Sequence, residues 1–558
     1  MCGFLLYLDK KNNVSNTTFQ KLDNISNLLS HRGPDFKKSI KYKNLYIHHC
    51  RLSIQDLTKR SHQPFIKNYK GKKYTIIYNG EIYNFKKIKS KLKKRIKFST
   101  SGDTEVLLNS FILDKNNFLK NLSGMYSFMV LEHGKKSSIY FARDIYGQKP
   151  LYYFMDDKKI IFCSEIKPIL KIINKYKINE KNCLDYILNN EYFYQRDTFF
   201  DGVKQIMPNE QGVITNNNIF FNEIKKKSNL KIKKPPYKLY FKKFKENIIN
   251  HSISDKKIAL SLSAGLDSSS IAHVLYTQKI PYDVMAYSID FENEYSEFKE
   301  SEEFAKSYDK KITKVFISQE YVINNFEKYV RINEGPLGGI MLIGLFKLAN
   351  QCKKDGYDVL FSGFGSDECF GSYANTRQKL KEKKSFDLID NTKIKNHDLI
   401  NNSDNYLLND ILNNYFKVSR IPRAVHFTDR VSMASSVEMR NPFLDEKFVA
   451  FSREQQIYLK NTDKYILKKF MSQNSKHKKN WFEEKKHVTH PQNKWLRSKY
   501  FNNFVKDIIN DNYLYKNSEF LNKGKILKHW KMFKDNEISN GYFFWQLLNI
   551  YFLKKLKG

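Results

Sequence analysis

Residues 258–275 commit the chain to a strand, a tight loop and a helix in immediate succession. Ile258 to Leu262 (IALSL) alternates apolar and small residues as a short buried strand does, and Ile271, Val274 and Leu275 recur at helical spacing beyond it. Between them, Ser261-Leu262-Ser263-Ala264-Gly265-Leu266-Asp267-Ser268-Ser269 supplies small residues, hydroxyls and one acid. Such a loop can aim backbone N–H groups and the positive end of a helix at a phosphate chain. Asp267 would repel bare phosphate, so its place there implies a divalent cation between the two, as Mg2+ usually lies with nucleotides. A second apolar run, Asp358 to Ser362 (DVLFS), ends in Gly363-Phe364-Gly365-Ser366-Asp367-Glu368, again small residues and acids after a strand. Open α/β sheets bind ligands at the carboxyl ends of their strands, so two acid-bearing loops predict one Mg-nucleotide site. From about Tyr240 further strand-like runs, Val284 to Ile289 and Ile312 to Ile317, alternate with helical segments, the pattern of a parallel sheet.

At 558 residues the chain exceeds one core and fits two domains, and 41% hydrophobic with 15% aromatic residues is ample for packed interiors. The formal charge of +39 would suit nucleic acid or a membrane surface, but the lysines are spread over the whole length and form no stripe, which argues against nucleic acid. Six cysteines, with no Cys-x-x-Cys and no histidines at zinc spacing, read as reduced thiols. The start Met-Cys-Gly lacks the basic and apolar regions of a secretory leader. The most apolar late segment, Tyr542 to Leu553, carries Gln546 and Asn549 and falls short of the roughly 20 residues that span a bilayer. These features predict a cytoplasmic protein.

Cys2 follows the initiator Met, whose removal would leave the cysteine beside a free α-amino group. That amine has a pKa of about 7.7–8.0 and can take the thiol proton. Further on come His31-Arg32-Gly33-Pro34-Asp35, Arg51-Leu52-Ser53-Ile54, Asn79-Gly80-Glu81-Ile82-Tyr83-Asn84 and Gly102-Asp103-Thr104-Glu105. With Cys2 they resemble the class II, N-terminal-nucleophile glutamine amidotransferases across about the first 200 residues. The runs Arg143 to Tyr153 (RDIYGQKPLYY) and Ser164-Glu165-Ile166-Lys167 continue the likeness in the form typical of glutamine-hydrolysing asparagine synthetases. The resemblance makes Cys2 the nucleophile on the glutamine amide, with the Asn79 side chain and the Gly80 N–H as oxyanion donors. It gives Arg51 to the substrate carboxylate, and Asp103 with Glu81 to its ammonium.

The Ser261–Ser269 loop resembles the Ser-Gly-Gly-x-Asp-Ser pattern of pyrophosphate-loop ATPases, with Ala264 in place of a glycine, and within them the synthetase half of the same family. The resemblance lines ATP with Leu262, Ser263, Gly265, Asp267, Ser268, Ile289, Ser362 and Gly363 and gives Mg2+ to Asp267 and Asp367. Lys485 matches a phosphate-contacting lysine, with His487-Val488 where glycine-phenylalanine is usual. Asp429 to Ala434 and Val437 to Asp445 follow the family signature, read structurally as an amphipathic helix ending at a proline-bounded turn, with Glu438 and Arg440 facing the acceptor. Phe364 stands where the family carries Glu.

The organisation expected is an α-β-β-α sandwich of the N-terminal-nucleophile hydrolases over residues 2–215, a lysine-rich linker over 216–239, and a parallel-sheet ATPase domain over 240–558. Lys379 to Ile400 reads as a mobile surface loop. The activity implied is glutamine- and ATP-dependent amidation of a carboxylate, aspartate first, with a uronic acid or peptide acid as the alternative. The partners implied are small molecules, with a homodimer as the candidate assembly.

Overall fold

The computed structural model describes residues 2–134, 137–174, 176–190, 192–224, 237–292, 295–370, 414–459, 464–483 and 490–556. The segment Lys379–Ile400 and the residue Lys485 lie outside these.

The first half is built on two six-stranded antiparallel sheets. One runs, edge to edge, Lys204–Gln205, Tyr152–Met155, Lys159–Cys163, Cys2–Asp9, Leu45–Arg51 and Phe36–Tyr42. The other runs Asn218–Glu223, Glu210–Thr215, Ser138–Arg143, Gly124–Glu132, Lys72–Ile82 and Phe65–Tyr69. Alternate residues of the central strands explain the stacking. Phe4, Leu6 and Leu8 from the first sheet meet Ile77, Met129, Leu131 and Phe141 from the second. Leu5, on the opposite face, packs with Leu22, Leu29 and Ile169 of flanking helices, while Tyr74, Ile76 and Tyr78 pack under Val106, Leu107 and Phe111 of the helix Asp103–Leu113. The central strands of each sheet are therefore buried on both faces, which is why they read as dense apolar runs rather than clean alternation. The four-layer α-β-β-α arrangement is the expected one.

The first half continues past residue 215, where the sequence predicts the linker to begin. Asn218–Glu223 pairs in register with Glu210–Thr215 and forms the edge of the second sheet. An edge strand with one exposed face needs few apolar residues, so its asparagines and glutamate resemble a linker.

The second half centres on five parallel strands in the order Ile312–Phe316, Met285–Asp290, Ile258–Ser261, Val359–Phe361 and Glu438–Arg440. Chain order reverses between Ile258–Ser261 and Val359–Phe361, which are paired. That is the switch point at which an open parallel sheet leaves a crevice, and both acid-bearing loops emerge there side by side. The fifth strand corrects the reading of the signature segment as a helix running to the proline turn. The helix Ile421–Met433 stops, Ser436 takes a left-handed φ of 55°, and Glu438–Arg440 joins the sheet beside Val359–Phe361. The helix Tyr542–Lys554 is buried within the core it completes. Among the described residues no helix is long and apolar enough to cross a membrane. All six cysteines are free and buried.

Candidate functional sites and the contact between them

Cys2 begins the central strand of the first sheet and pairs with Arg51. Its N–H donates to Asn79 Oδ1 at 3.0 Å. With the oxygen thus fixed, Asn79 Nδ2 is buried and has no hydrogen-bond partner. A buried amide donor left unmatched is costly unless a ligand completes it. Burial pushes the Cys2 thiol up from its ordinary value, with Arg51 and the Leu52 N–H pulling the other way. The resting thiol is protonated and requires a base to become a nucleophile. Gly80 follows Asn79 at a point where a Cβ would lie 2.2 Å from the Met125 carbonyl oxygen, so strand packing alone demands glycine there.

Around this pair lie three buried carboxylates. Asp103 accepts from the Tyr78 hydroxyl at 2.7 Å and the Ile82 N–H at 2.9 Å, and burial pushes its carboxyl up. Glu81, raised by burial and by Asp103, accepts from Gln55 and lies 3.5 Å from Arg440 Nη2. Glu438 is 2.6 Å from Arg440 Nε; burial would raise it, but Arg440 brings it down to about 2. Three acids stand against one guanidinium here, and the two that burial raises, Asp103 and Glu81, would be favoured in their charged form by an ammonium group placed beside them. Glu438 and Arg440, expected to face the acceptor, are instead fully buried and turned to the first half at Glu81. Arg51 spends both terminal nitrogens on the carbonyls of Gln55, Asp56 and Thr58 and on His62. In this structure its fork is committed to residues 55–62.

At the other site, Ser263 and Ser268 close the first loop on itself: Ser263 N–H donates to Ser268 Oγ at 3.0 Å, and Ser268 Oγ donates back to the Ser263 carbonyl at 3.0 Å. Ala264 is not among the residues with positive φ, so it replaces glycine without strain. Gly363 abuts this loop, its missing Cβ only 3.1 Å from Asp267 Cβ. Ser366 Oγ donates to Asp267 Oδ1 at 2.7 Å, tying the second loop to the first. Leu262, just past the strand Ile258–Ser261, is buried, and Ile289 on the adjacent strand is half-buried. Ser362 is buried, its hydroxyl 2.7 Å from Asn441 Oδ1. The acids Asp267 and Asp367 converge, and between them sits the ammonium of Lys464, 2.7 Å from Asp267 Oδ2 and 2.5 Å from Asp367 Oδ1. Burial alone would lower the Lys464 pKa, but the two carboxylates raise it above the usual lysine value.

A buried charge cluster joins the halves. Arg32 Nε donates to the Cys2 carbonyl at 3.1 Å, while Nη1 and Nη2 reach Asp429 at 2.8 and 3.0 Å. Glu165 takes Arg32 Nη1 and Arg430 Nη1, each at 3.0 Å. Arg430 also holds Glu334 at 2.7 Å, and Glu334 accepts the N–H groups of Ile166 and Lys167, capping a first-half helix from the second half. The run Arg143–Tyr153 acts as scaffold for this contact. Asp144 accepts the N–H groups of Tyr126, Tyr146, Gln148 and Lys149, and so places the Lys149 ammonium 3.7 Å from Asp429.

Residues 242–427 and 421–554, more than half of the chain, match the family model described as asparagine synthase. The chain belongs to the asparagine synthase family. Residues 1–224 match the glutamine amidotransferase domain, ahead of the asparagine synthase match. Glutamine-hydrolyzing asparagine synthetase 1 of Bacillus subtilis is 30% identical over 69% of this chain and 60% of that protein, and synthetase 3 of the same organism 28% identical over 67% and 63%. Amidase chry2 of Gibberella zeae is 26% identical over 67% of this chain and 59% of that protein. The matched chain thus spans less than two thirds of these relatives' length.

Within this asparagine synthase family chain the residues singled out by motif gather at two places. Cys2, Asn79, Gly80, Glu81, Arg51 and Asp103 stand around the first, and Leu262 to Ser268 with Ser362, Gly363 and Asp367 around the second. Lys464 and the Arg32–Asp429 link were not singled out. Lys464 is one of 97 Lys and Arg residues with no motif of its own, and Arg32 and Asp429 lie inside motifs that give no hint of their pairing.

Proposed function

We propose that the chain hydrolyses glutamine at Cys2 and uses the ammonia to amidate a carboxylate that it has activated with ATP in the second half. The observation that carries this reading is the Cys2–Asn79 pair, in which one end of a buried amide is fixed by the nucleophile's N–H and the other is an unmatched donor beside it. Cys2 Sγ attacks the glutamine amide carbon, its proton passing to the α-amino group freed by Met removal and on to the leaving ammonia. Asn79 Nδ2 donates to the carbonyl oxygen as negative charge develops on it. Water then releases glutamate from the thioester. The acid corner of Asp103, Glu81 and Glu438 holds the substrate ammonium, and Arg51 its carboxylate once residues 55–62 let go.

In the second half the acceptor carboxylate attacks the α-phosphorus of ATP, pyrophosphate leaves, and ammonia displaces AMP from the acyl-adenylate. Adenylation is required because a carboxylate at neutral pH resists nucleophiles. The loop Leu262–Ser268 with Ile289, Ser362 and Gly363 lines the nucleotide, and Lys485 is proposed to contact its phosphates. Asp267 and Asp367 fit a divalent cation: two hard oxygen donors already share one cationic partner, and Mg2+ with nucleotides takes one or two carboxylates and fills its remaining positions with phosphate and water. When bound, Mg2+ would neutralise charge on the departing pyrophosphate.

With aspartate as acceptor the sum is L-aspartate, L-glutamine, ATP and water to L-asparagine, L-glutamate, AMP and diphosphate. Phe364 favours a second reading of the acceptor. Its ring packs on the large apolar cluster at the acid loop and offers an apolar face where a carboxylate is usual, which suits a larger or less charged acid such as a uronic or peptide acid. Mass spectrometry of products from a panel of carboxylates with ATP, Mg2+ and glutamine tests both. An amide product with stoichiometric AMP and pyrophosphate is expected; glutamate release with no amide from any acid would refute the synthetase half.

A further inference from the structure

Lys464 combines features that a surface lysine lacks. It is 6% exposed, and its ammonium lies 2.7 Å from each oxygen of Asp267 and 2.5 Å from Asp367 Oδ1. Its backbone sits at φ 53°, ψ 27°, the left-handed region that a lysine rarely adopts, at the start of the helix Tyr465–Asn474. Ser366 Oγ donates to Asp267 Oδ1, so that oxygen is shared between the serine hydroxyl and the lysine. The ammonium occupies the space that a divalent cation shared by the same two carboxylates would need, and two like charges do not share it.

We infer that Lys464 is an exchangeable countercharge. Without nucleotide its ammonium bridges Asp267 and Asp367 and keeps the two loops together. When a nucleotide arrives with its divalent cation, the ammonium yields the carboxylates and swings on its flexible stem to the phosphate oxygens, which bring more negative charge than the cation cancels. Free metal must displace the lysine with nothing to receive it, whereas metal with triphosphate gives the ammonium a new partner. The site therefore rejects bare cation and accepts the metal–nucleotide complex, a selectivity set by one side chain. The left-handed backbone at Lys464 fixes the origin of that stem. This inference rests on the reading of Asp267 and Asp367 as cation carboxylates.

The test uses Mn2+ as the probe, its binding followed by electron paramagnetic resonance. Lys464→Met should bind free Mn2+ at least about tenfold more tightly than the unmodified chain, and Mn2+ with a non-hydrolysable α,β-methylene ATP at least about tenfold more weakly. Lys464→Arg, which keeps the charge, should bind free Mn2+ as weakly as the unmodified chain. Equal or weaker binding of free Mn2+ by Lys464→Met overturns the inference. Asp267→Asn separates the underlying reading: if it leaves Mn2+ binding unchanged in both backgrounds, the acids are not the cation site and both ideas fall. Should Lys464→Met not fold, amine labelling of the unmodified chain read by mass spectrometry replaces it. At a Mn2+ concentration that fills the site in the presence of the ATP analogue, Lys464 should stay protected with Mn2+ alone; labelling that rises with Mn2+ alone at that concentration overturns the inference.

Discussion

Asn79 offers the sharpest test of the glutamine site, because its two ends are predicted to do different work. Oδ1 accepts the Cys2 N–H at 3.0 Å and Nδ2 is buried without a partner. Asn79→Ala removes both. A single oxyanion donor is worth about 3 kcal/mol of barrier and an ordinary hydrogen bond about 1 kcal/mol, so glutamine hydrolysis should lose about 4 kcal/mol, or roughly a thousandfold in kcat. Asn79→Asp is the more informative change. It keeps an acceptor for the Cys2 N–H but puts negative charge where the donor stood, so activity should stay at least about a hundredfold down. The assay is glutamate release without ATP or acceptor, with ammonium-dependent pyrophosphate release as the control, which should change by no more than about twofold for either variant. If Asn79→Asp kept more than about a tenth of the parent kcat, Asn79 would matter only as an anchor for the Cys2 backbone, and the oxyanion argument would be wrong.

Cys2→Ala should abolish glutamine-dependent amidation and spare the reaction fed with ammonium salt; equal loss of both in a folded variant refutes two separable sites. Phe364→Glu should shift preference toward aspartate, and an aspartate kcat/KM of about 10⁴ M⁻¹s⁻¹ or more in the parent would remove Phe364 as the determinant. Asp429→Ala leaves Arg32 buried without its bidentate partner and should cost about 3–5 kcal/mol in urea denaturation; a cost under about 1 kcal/mol would mean that the cluster is hydrated. His49 is held neutral by burial, its pKa pushed down to about 3 although Tyr78 O accepts from its ring. The unfolded chain binds that proton at about 6.5, so below this value acid favours the unfolded state; between pH 7 and pH 5 the advantage of the parent over His49→Gln should shrink by about 2 kcal/mol, and a constant difference would refute it.

The two acid loops were legible because each is punctuated by an apolar run before it and a helical pattern or small residues after it, and their adjacency followed once the sheet was read as parallel. The proposed glutamine site was legible only as motifs: nothing in Asn79 or Arg51 reveals which atoms are left unmatched or already taken. The strand Glu438–Arg440 was not readable. Three residues, two of them charged, carry no strand pattern, and the strand exists because the neighbouring edge offers it partners. Asn218–Glu223 does carry Ile219, Phe220 and Phe221, but its flanking asparagines and the lysine-rich run after it read as a linker. The buried cluster of Arg32, Glu165, Glu334, Asp429 and Arg430 was hidden for a different reason. Charged residues are by default exposed, and only long-range pairing reverses that default.

The tie from the Cys2 carbonyl through Arg32 to Asp429 joins positions 397 residues apart from the arginine onward. In order of synthesis Asp429, which fixes the arginine, follows it at 5–20 residues per second, roughly 20 to 80 s later. A nascent first half would keep Arg32 on Glu165 and the Cys2 carbonyl but without its bidentate partner Asp429, and would lack Glu438 and Arg440 at the acid corner, so the proposed glutamine site would be incomplete. On the proposed function, ammonia would not be released before the half that consumes it had been made.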